Sequence, residues 1–420
     1  MNMETPPSLS GLETLSDYDP DALPVAQARL FIRQFLVPIA QQETIKLDTA
    51  LGRTLARDVL SPANVPPHDN SAMDGYAVRA ADCAAGSLNI IGNAFAGHPF
   101  SGSIGQGECV RIMTGALIPA GCDGVIMQEQ VEVSGEQIRF SAAPRPGQNI
   151  RRAGEDIRQG AVVLPSGQRI GPAEMGLLAS LGCAEINVYR KLRVALFSTG
   201  DELQQPGLPL AAGQIYDSNR YSLLGLLQEL GAETLDYGSI PDDPARLKAA
   251  LLDASAQADV ILTSGGVSVG EADYIKRLLA EVGEVVFWKI AMKPGRPLAY
   301  GKIGRCHFFG LPGNPVAVMV TFLQFVRDAL RILMGQLPPP PLLFRVRCTS
   351  NIRKLPGRTE FQRGILLQDA QGEITVRTTG EQGSGILSSM SKANCFIVLA
   401  PEQGNVEAGA MVQVQVLHMN

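Results

Sequence analysis

The hydrophobic pattern of the chain changes its period several times, and the changes mark out its parts. Val25, Ala28, Ile32 and Phe35 recur at helical spacing behind Pro24 and predict an amphipathic helix. A weaker helical pattern covers residues 47–57. From residue 66 to 148 the apolar positions fall into short β-like runs at 88–91, 109–113, 124–133 and 137–140, with glycine-rich turns between them. Mixed structure returns over 149–190, with a helix near 173–181. This order predicts a linking part, 21–62 and 149–190, interrupted by a β-rich inserted domain, 63–148.

Residues 191–336 have a different rhythm. RVALFST at 193–199 is a continuous apolar strand, and 218–230 is a helix pattern closed by Gly231. Strands at 233–240, 259–264, 285–290 and 307–310 then alternate with helices that begin at PDDP, near 271 and at Pro315. Such alternation predicts a three-layer α/β domain, a parallel sheet covered on both faces. PPPP at 338–341 reads as a stiff linker, and 341–420 as a small β-barrel or sandwich.

Composition narrows the class. The chain has 420 residues, 45% of them hydrophobic, enough for several aliphatic cores. A formal net charge of −5 argues against a nucleic-acid binder. No apolar run approaches the ~20 residues of a membrane span, and the N-terminal residues show no signal-peptide pattern. The seven cysteines include no C-x-x-C, so a reducing cytoplasm is expected. With four histidines, none at metal-ligand spacing, any metal should have oxygen ligands, which points to magnesium.

In an open α/β sheet, ligands bind beyond the carboxyl ends of the strands. The loops there offer Asp201 and Glu202 in GDEL, Asp242 and Asp243 in PDDP, and the glycine-rich GGVSVGEADY with Asp273. Gly265, Gly266 and Gly270 permit close backbone approach to a phosphate, and Thr263, Ser264 and Ser268 add hydroxyl donors. A tight strand-to-helix turn explains the glycines equally well, and Asp243 before Pro244 reads as a helix cap. MKPGRP holds Lys293 and Arg296 around a turn, near Lys289, a good arrangement for an oxyanion. Arg345, Arg347, Arg353, Lys354, Arg358 and Arg363 cluster further on; for Arg345 and Arg347 a solvated strand face is favoured. HDNSAMDGYA at 68–77 is either a solvated turn or part of a site presenting Asp74 or Asp69.

DNSAMDGYAV, RIMTGA, GQNIRRAGEDI, FSTGDEL, IYDSN, TSGGVSVGEADY, MKPGRPLAYG and GLPGNPVA occur in this order. Together they resemble the molybdopterin molybdenumtransferase family, the MoeA-type enzymes of molybdenum cofactor synthesis. The resemblance implies four domains: an α/β domain like that of molybdopterin adenylyltransferases, the inserted β-rich and linking domains, and a C-terminal β-barrel. It also implies a cytoplasmic homodimer with a shared active site. There, adenylylated molybdopterin and molybdate would give molybdenum cofactor and AMP with Mg²⁺.

Residue by residue, the resemblance places catalytic roles on Asp74, Thr114, Glu202, Asp242 and Asp273; because carboxylates beside a phosphate site suit magnesium, Asp242 and Asp273 are expected to help hold it. Ser218, Thr263, Ser264, Gly265, Gly266, Ser268, Gly270, Lys289, Lys293, Arg296, Pro312 and Pro315 would bind the substrate. Lys293, Arg296, Arg358 and Ser384 would lie toward molybdate. Arg296 stands where many relatives carry lysine, which keeps the charge but changes the donor geometry. The implied partners are molybdopterin adenylyltransferase and apo-molybdoenzymes. An adenylyltransferase-like enzyme and a non-catalytic scaffold of the same fold are the alternatives.

Overall fold

The structure, a computed structural model, describes residues 21–265 and 272–417, without the side chains of 272–275. The chain divides into two compact units, one of Thr44–Leu51 with Leu55–Asn187, the other of the remaining residues.

In the first unit, six strands form one sheet in the order Gly124–Met127, Gly75–Val78, Glu108–Ile112, Ser87–Ala94, Gln137–Phe140, Val131–Ser134. Both faces of this sheet are covered. Tyr76, Val78, Leu88 and Ile126 build one core, whereas Ala77, Val110, Ile112 and Val125 build the other. On the inner strand Gly75–Val78 strict alternation therefore gives way to a run in which every residue is buried. The predicted run 124–133 is broken by a short 3-10 turn, Gln128–Gln130. The helical reading of 47–57 is corrected: only Leu47–Thr49 makes a 3-10 turn. The next residues use their amides elsewhere, Leu55 N–H donating to Gln168 and Ala56 N–H to Asn187. Those tertiary hydrogen bonds override a weak local preference.

The second unit contains the α/β sheet, ordered Glu233–Ile240, Arg193–Thr199, Val260–Ser264, Cys306–Leu311, Pro297–Ile303, Glu284–Lys289. The first four strands are mutually parallel, and Pro297–Ile303 runs antiparallel to both of its neighbours, so Glu284–Lys289 points the same way as the first four. Sequence periodicity does not separate Pro297–Ile303 from the turn before it, so the sheet is mixed where a parallel one was expected. Successive strand residues feed opposite layers. Val194 and Leu196 join the core under helices Val25–Gln34, Ser218–Leu230 and the 315–333 helix. Ala195 and Phe197 join the core under Pro244–Gln257 and Ala272–Val282. The 25–34 helix, assigned by sequence to the linking part, thus lends Phe31 and Ile32 to the α/β core beside Trp288.

Beyond the proline run, Leu343–Cys348, Ile374–Thr378, Thr359–Gln368, Cys395–Leu399 and Met411–Val416 pair in a closed ring, a five-stranded barrel. Arg345 and Arg347 lie exposed on one face of their strand while Val346 and Cys348 point inward. The short strand Met292–Lys293 leaves the α/β sheet and pairs with Thr359–Glu360, tying the two domains together.

Candidate active site

Between the α/β sheet and the barrel lies a cleft of about 830 Å³, lined by residues of both. One wall is the KPGRP turn. Gly295 has φ +90, and a Cβ there would stand 2.4 Å from the Thr321 hydroxyl. Only glycine lets the turn close on the 315–321 helix, and this approach fixes Lys293 and Arg296 at the cleft. Lys293 Nζ lies 3.9 Å from the buried carboxylate of Glu360. Arg296 donates to the Asp21 carbonyl at 3.3 Å. Lys289 does not line the cleft; it pairs with Asp21 at 2.5 Å and holds that carboxyl below its usual range.

The opposite wall comes from the barrel: Arg358, Glu381, Gln382 and Ser384. Its support is Arg363, which sequence reading placed only within a charge cluster. Arg363 is 1% exposed. Its guanidinium donates to Ser389 Oγ at 2.9 Å and the Gly383 carbonyl at 3.0 Å, and Gln382 Oε1 accepts from its amide at 2.8 Å. Burial pulls its pKa down to about 10, still cationic at neutral pH. The Ser384 carbonyl accepts from Val316 N–H at 3.0 Å, satisfying one of the free amides at that helix start. The 382–384 loop is thereby anchored to both the barrel and the 315–321 helix. Lys354 of the same cluster is also internal, donating to the carbonyls of Leu355, Pro401 and Gln403.

Glu202, Ile215 and Gly313 line the cleft and also a smaller cavity of about 70 Å³ at the carboxyl ends of the strands. Ser218, Ser264, Gly265 and Pro315 face this cavity, and Pro312 faces the cleft. Thr263 is buried and paired within the sheet opposite Gly310. Asp242 lies at the next strand end, its N–H donating to Asp201 Oδ1 at 3.2 Å. Asp243 caps its helix by accepting from Arg246 N–H at 2.8 Å. Gly266, Ser268 and Gly270 lie outside the described residues, as does the side chain of Asp273 in helix Ala272–Val282. Among the described residues, no three acids, histidines or cysteines gather as a preformed metal cluster.

In the first unit, Asp74 Oδ1 accepts from both the N–H and the hydroxyl of Thr114, each at 2.7 Å. Those two hydrogen bonds hold its carboxyl below the usual range. Asp69 instead accepts from Ala153 N–H at 2.8 Å and pairs with Arg152 at 2.5 Å. The Ser71 hydroxyl closes the turn on the Met73 carbonyl at 2.6 Å. A Cβ on Gly75 would sit 2.0 Å from the Ile126 carbonyl oxygen, so the backbone after Asp74 must be bare. The 68–77 stretch is thus a built turn that presents one carboxylate with a fixed hydroxyl beside it.

Comparison with known proteins agrees with this architecture. The MoeA N-terminal region (domain I and II) matches residues 23–182, a probable molybdopterin binding domain 195–332, and the MoeA C-terminal region (domain IV) 345–417. The chain is 49% identical to the molybdopterin molybdenumtransferase of Haemophilus influenzae, over 94% of this chain and 98% of that protein. The chain belongs to the MoeA family of molybdopterin molybdenumtransferases. A Nostoc molybdopterin molybdenumtransferase is 36% identical over 89% of each chain. The MoeA protein of Pyrococcus horikoshii superposes with a TM-score of 0.82 at 29% identity, covering 94% of this chain and all of that one. Against that MoeA background, Asp74 with Thr114 and the Lys293–Arg296 turn are each locally built, one in each unit.

Proposed function

We propose that the protein inserts molybdate into adenylylated molybdopterin, releasing AMP and forming molybdenum cofactor. The observation that carries this reading is the cleft in a MoeA-family chain: Lys293, Arg296 and Arg358 face it from two domains, against Glu202 and Glu381. A dianionic oxyanion and a phosphorylated pterin nucleotide repel each other. Fixed cations on facing walls offset that repulsion without reorganising during the reaction. Catalysis is then mainly positioning of two anions.

Magnesium fits the donors at the strand ends, which are carboxylates, and a hard cation that keeps waters and substrate phosphates needs few protein ligands. Asp242 and Asp273 would hold it, and when bound it would neutralise phosphate oxygens. We further propose a homodimer in which Asp74 of one subunit completes the other's site, working in the cytoplasm. Its substrate would come from molybdopterin adenylyltransferase and its product would go to apo-molybdoenzymes. No helix among the described residues is long and apolar enough to cross a membrane.

The test is incubation with adenylylated molybdopterin and molybdate, and separately with ATP and molybdopterin. Molybdate-dependent AMP release in the first reaction is expected. ATP consumption in the second would make the protein an adenylyltransferase, and inactivity in both would leave a scaffold.

A further inference from the structure

The small cavity at the strand ends holds two buried polar atoms without a hydrogen-bond partner among the described residues, Thr199 Oγ1 and Asn219 Oδ1. Buried polar atoms are nearly always partnered, because leaving one unpaired costs about 1–3 kcal/mol. Thr199 is 7% exposed and ends the central strand Arg193–Thr199. The Asn219 amide is held in one orientation. Its Nδ2 donates to the Gly313 carbonyl at 2.6 Å and to Ser264 Oγ at 2.9 Å. A carbonyl can only accept, so the amide nitrogen must face Gly313 and the oxygen must turn away from it. Asn219 therefore presents a fixed acceptor, and Thr199 a hydroxyl able to donate or accept.

We infer that Thr199 and Asn219 form a subsite for the amino-bearing edge of the substrate's heterocycle. An N–H of that edge would donate to Asn219 Oδ1, and its neighbouring ring atom would pair with the Thr199 hydroxyl. The cavity, about 70 Å³, has room for one ring edge or for about two waters. It opens past Glu202, Ile215 and Gly313 into the cationic cleft, so a heterocycle held here would send its phosphates toward Lys293 and Arg296. Asp217, which also lines the cavity, is already paired with Arg220 at 3.3 Å, and the other carboxylate, Glu202, lies where the cavity meets the cleft. This inference rests on the substrate class proposed above. The amino edge belongs either to the pterin or to the adenine of the nucleotide.

Binding of non-reacting probes, without molybdate, separates the sources: AMP against IMP, and 6-carboxypterin against 6-carboxylumazine. Each pair exchanges an amino group for an oxo group. The amino member of one pair should bind the wild type about tenfold more tightly, the value of one ligand hydrogen bond. Thr199→Val removes a hydroxyl that has no hydrogen-bond partner among the described residues. It should leave the melting temperature unchanged or raise it, while weakening that probe about tenfold. Equal binding within both pairs, or a Thr199→Val protein that binds like the wild type, overturns the inference and leaves the cavity to water. AMP release from adenylylated molybdopterin by the wild type is measured separately. Its failure would remove the proposed reaction without deciding whether the cavity selects an amino edge.

Discussion

Asp74 and Asp69 stand five positions apart in one turn, yet their partners differ in kind. Asp69 is spent on Arg152 and a backbone amide, whereas Asp74 is oriented by a neutral threonine and keeps its full charge for another group. Thr114→Val removes the hydroxyl donor but not the amide. The Asp74 carboxyl should then titrate higher than in the wild type, as followed by carboxyl NMR, and AMP release should fall. An unshifted titration would mean that the hydroxyl contributes nothing to that carboxylate. At the cleft, Lys293→Ala is expected to raise the molybdate concentration needed for half-maximal AMP release, with partial rescue at high molybdate. A rate loss indifferent to molybdate would remove Lys293 from oxyanion binding.

At the scale of elements, two neighbouring acids in PDDP have separate duties. Asp243 caps helix Pro244–Gln257. Asp243→Ala should cost about 1 kcal/mol of stability and leave AMP release unchanged. Asp242→Asn should do the reverse, and thermal melts beside AMP assays on both variants check the division. Strand Cys306–Leu311 carries a buried histidine. His307 is 7% exposed, with Nδ1 3.4 Å from the Tyr300 hydroxyl. Burial above all, with Lys302 adding to it and Asp259 opposing, depresses its pKa from 6.5 to about 4. A base whose folded pKa is lowered stays neutral in the native state while the unfolded chain takes up its proton. This contribution to stability is whole above pH 6.5 and is lost as pH falls toward 4. The loss is on the order of 3 kcal/mol. Urea midpoints at pH 7.5 and 4.5 should differ less in His307→Gln than in the wild type, and equal differences would refute the assignment.

For the whole molecule, a shared site makes a distinctive statistical prediction. Asp74→Asn and Asp273→Asn proteins should each be inactive as homodimers. Unfolded together and refolded at equal amounts, half of the dimers would carry one intact site of two, restoring roughly a quarter of wild-type activity. No recovery would show that both acids serve the same subunit's site, or that the subunits act alone.

Much of this architecture is written in local pattern. The strands at 193–199 and 233–240 and the helix at 218–230 follow from continuous apolar runs and a glycine stop, because such elements bury complete faces and need little else to define them. The Asp243 cap and the solvated face of Arg345 and Arg347 are legible for the same reason, being decided within a few residues. Pairing across long separations is not written locally. Pro297–Ile303 became a strand by closing on Cys306–Leu311, and residues 50–57 lost their helical tendency to distant partners. The barrel closed only when strands far apart in sequence met. The site shows the same division. Sequence alone supplied the acids, the glycines and the KPGRP cations. Only the tertiary structure turned Arg363 into the anchor of a cleft wall, drew Lys289 away to Asp21, and left Thr199 Oγ1 and Asn219 Oδ1 at a cavity without a hydrogen-bond partner among the described residues. Residue type sets what a side chain can donate or accept, but burial and the position of its neighbours decide whether that capacity is spent inside the fold or kept for a ligand.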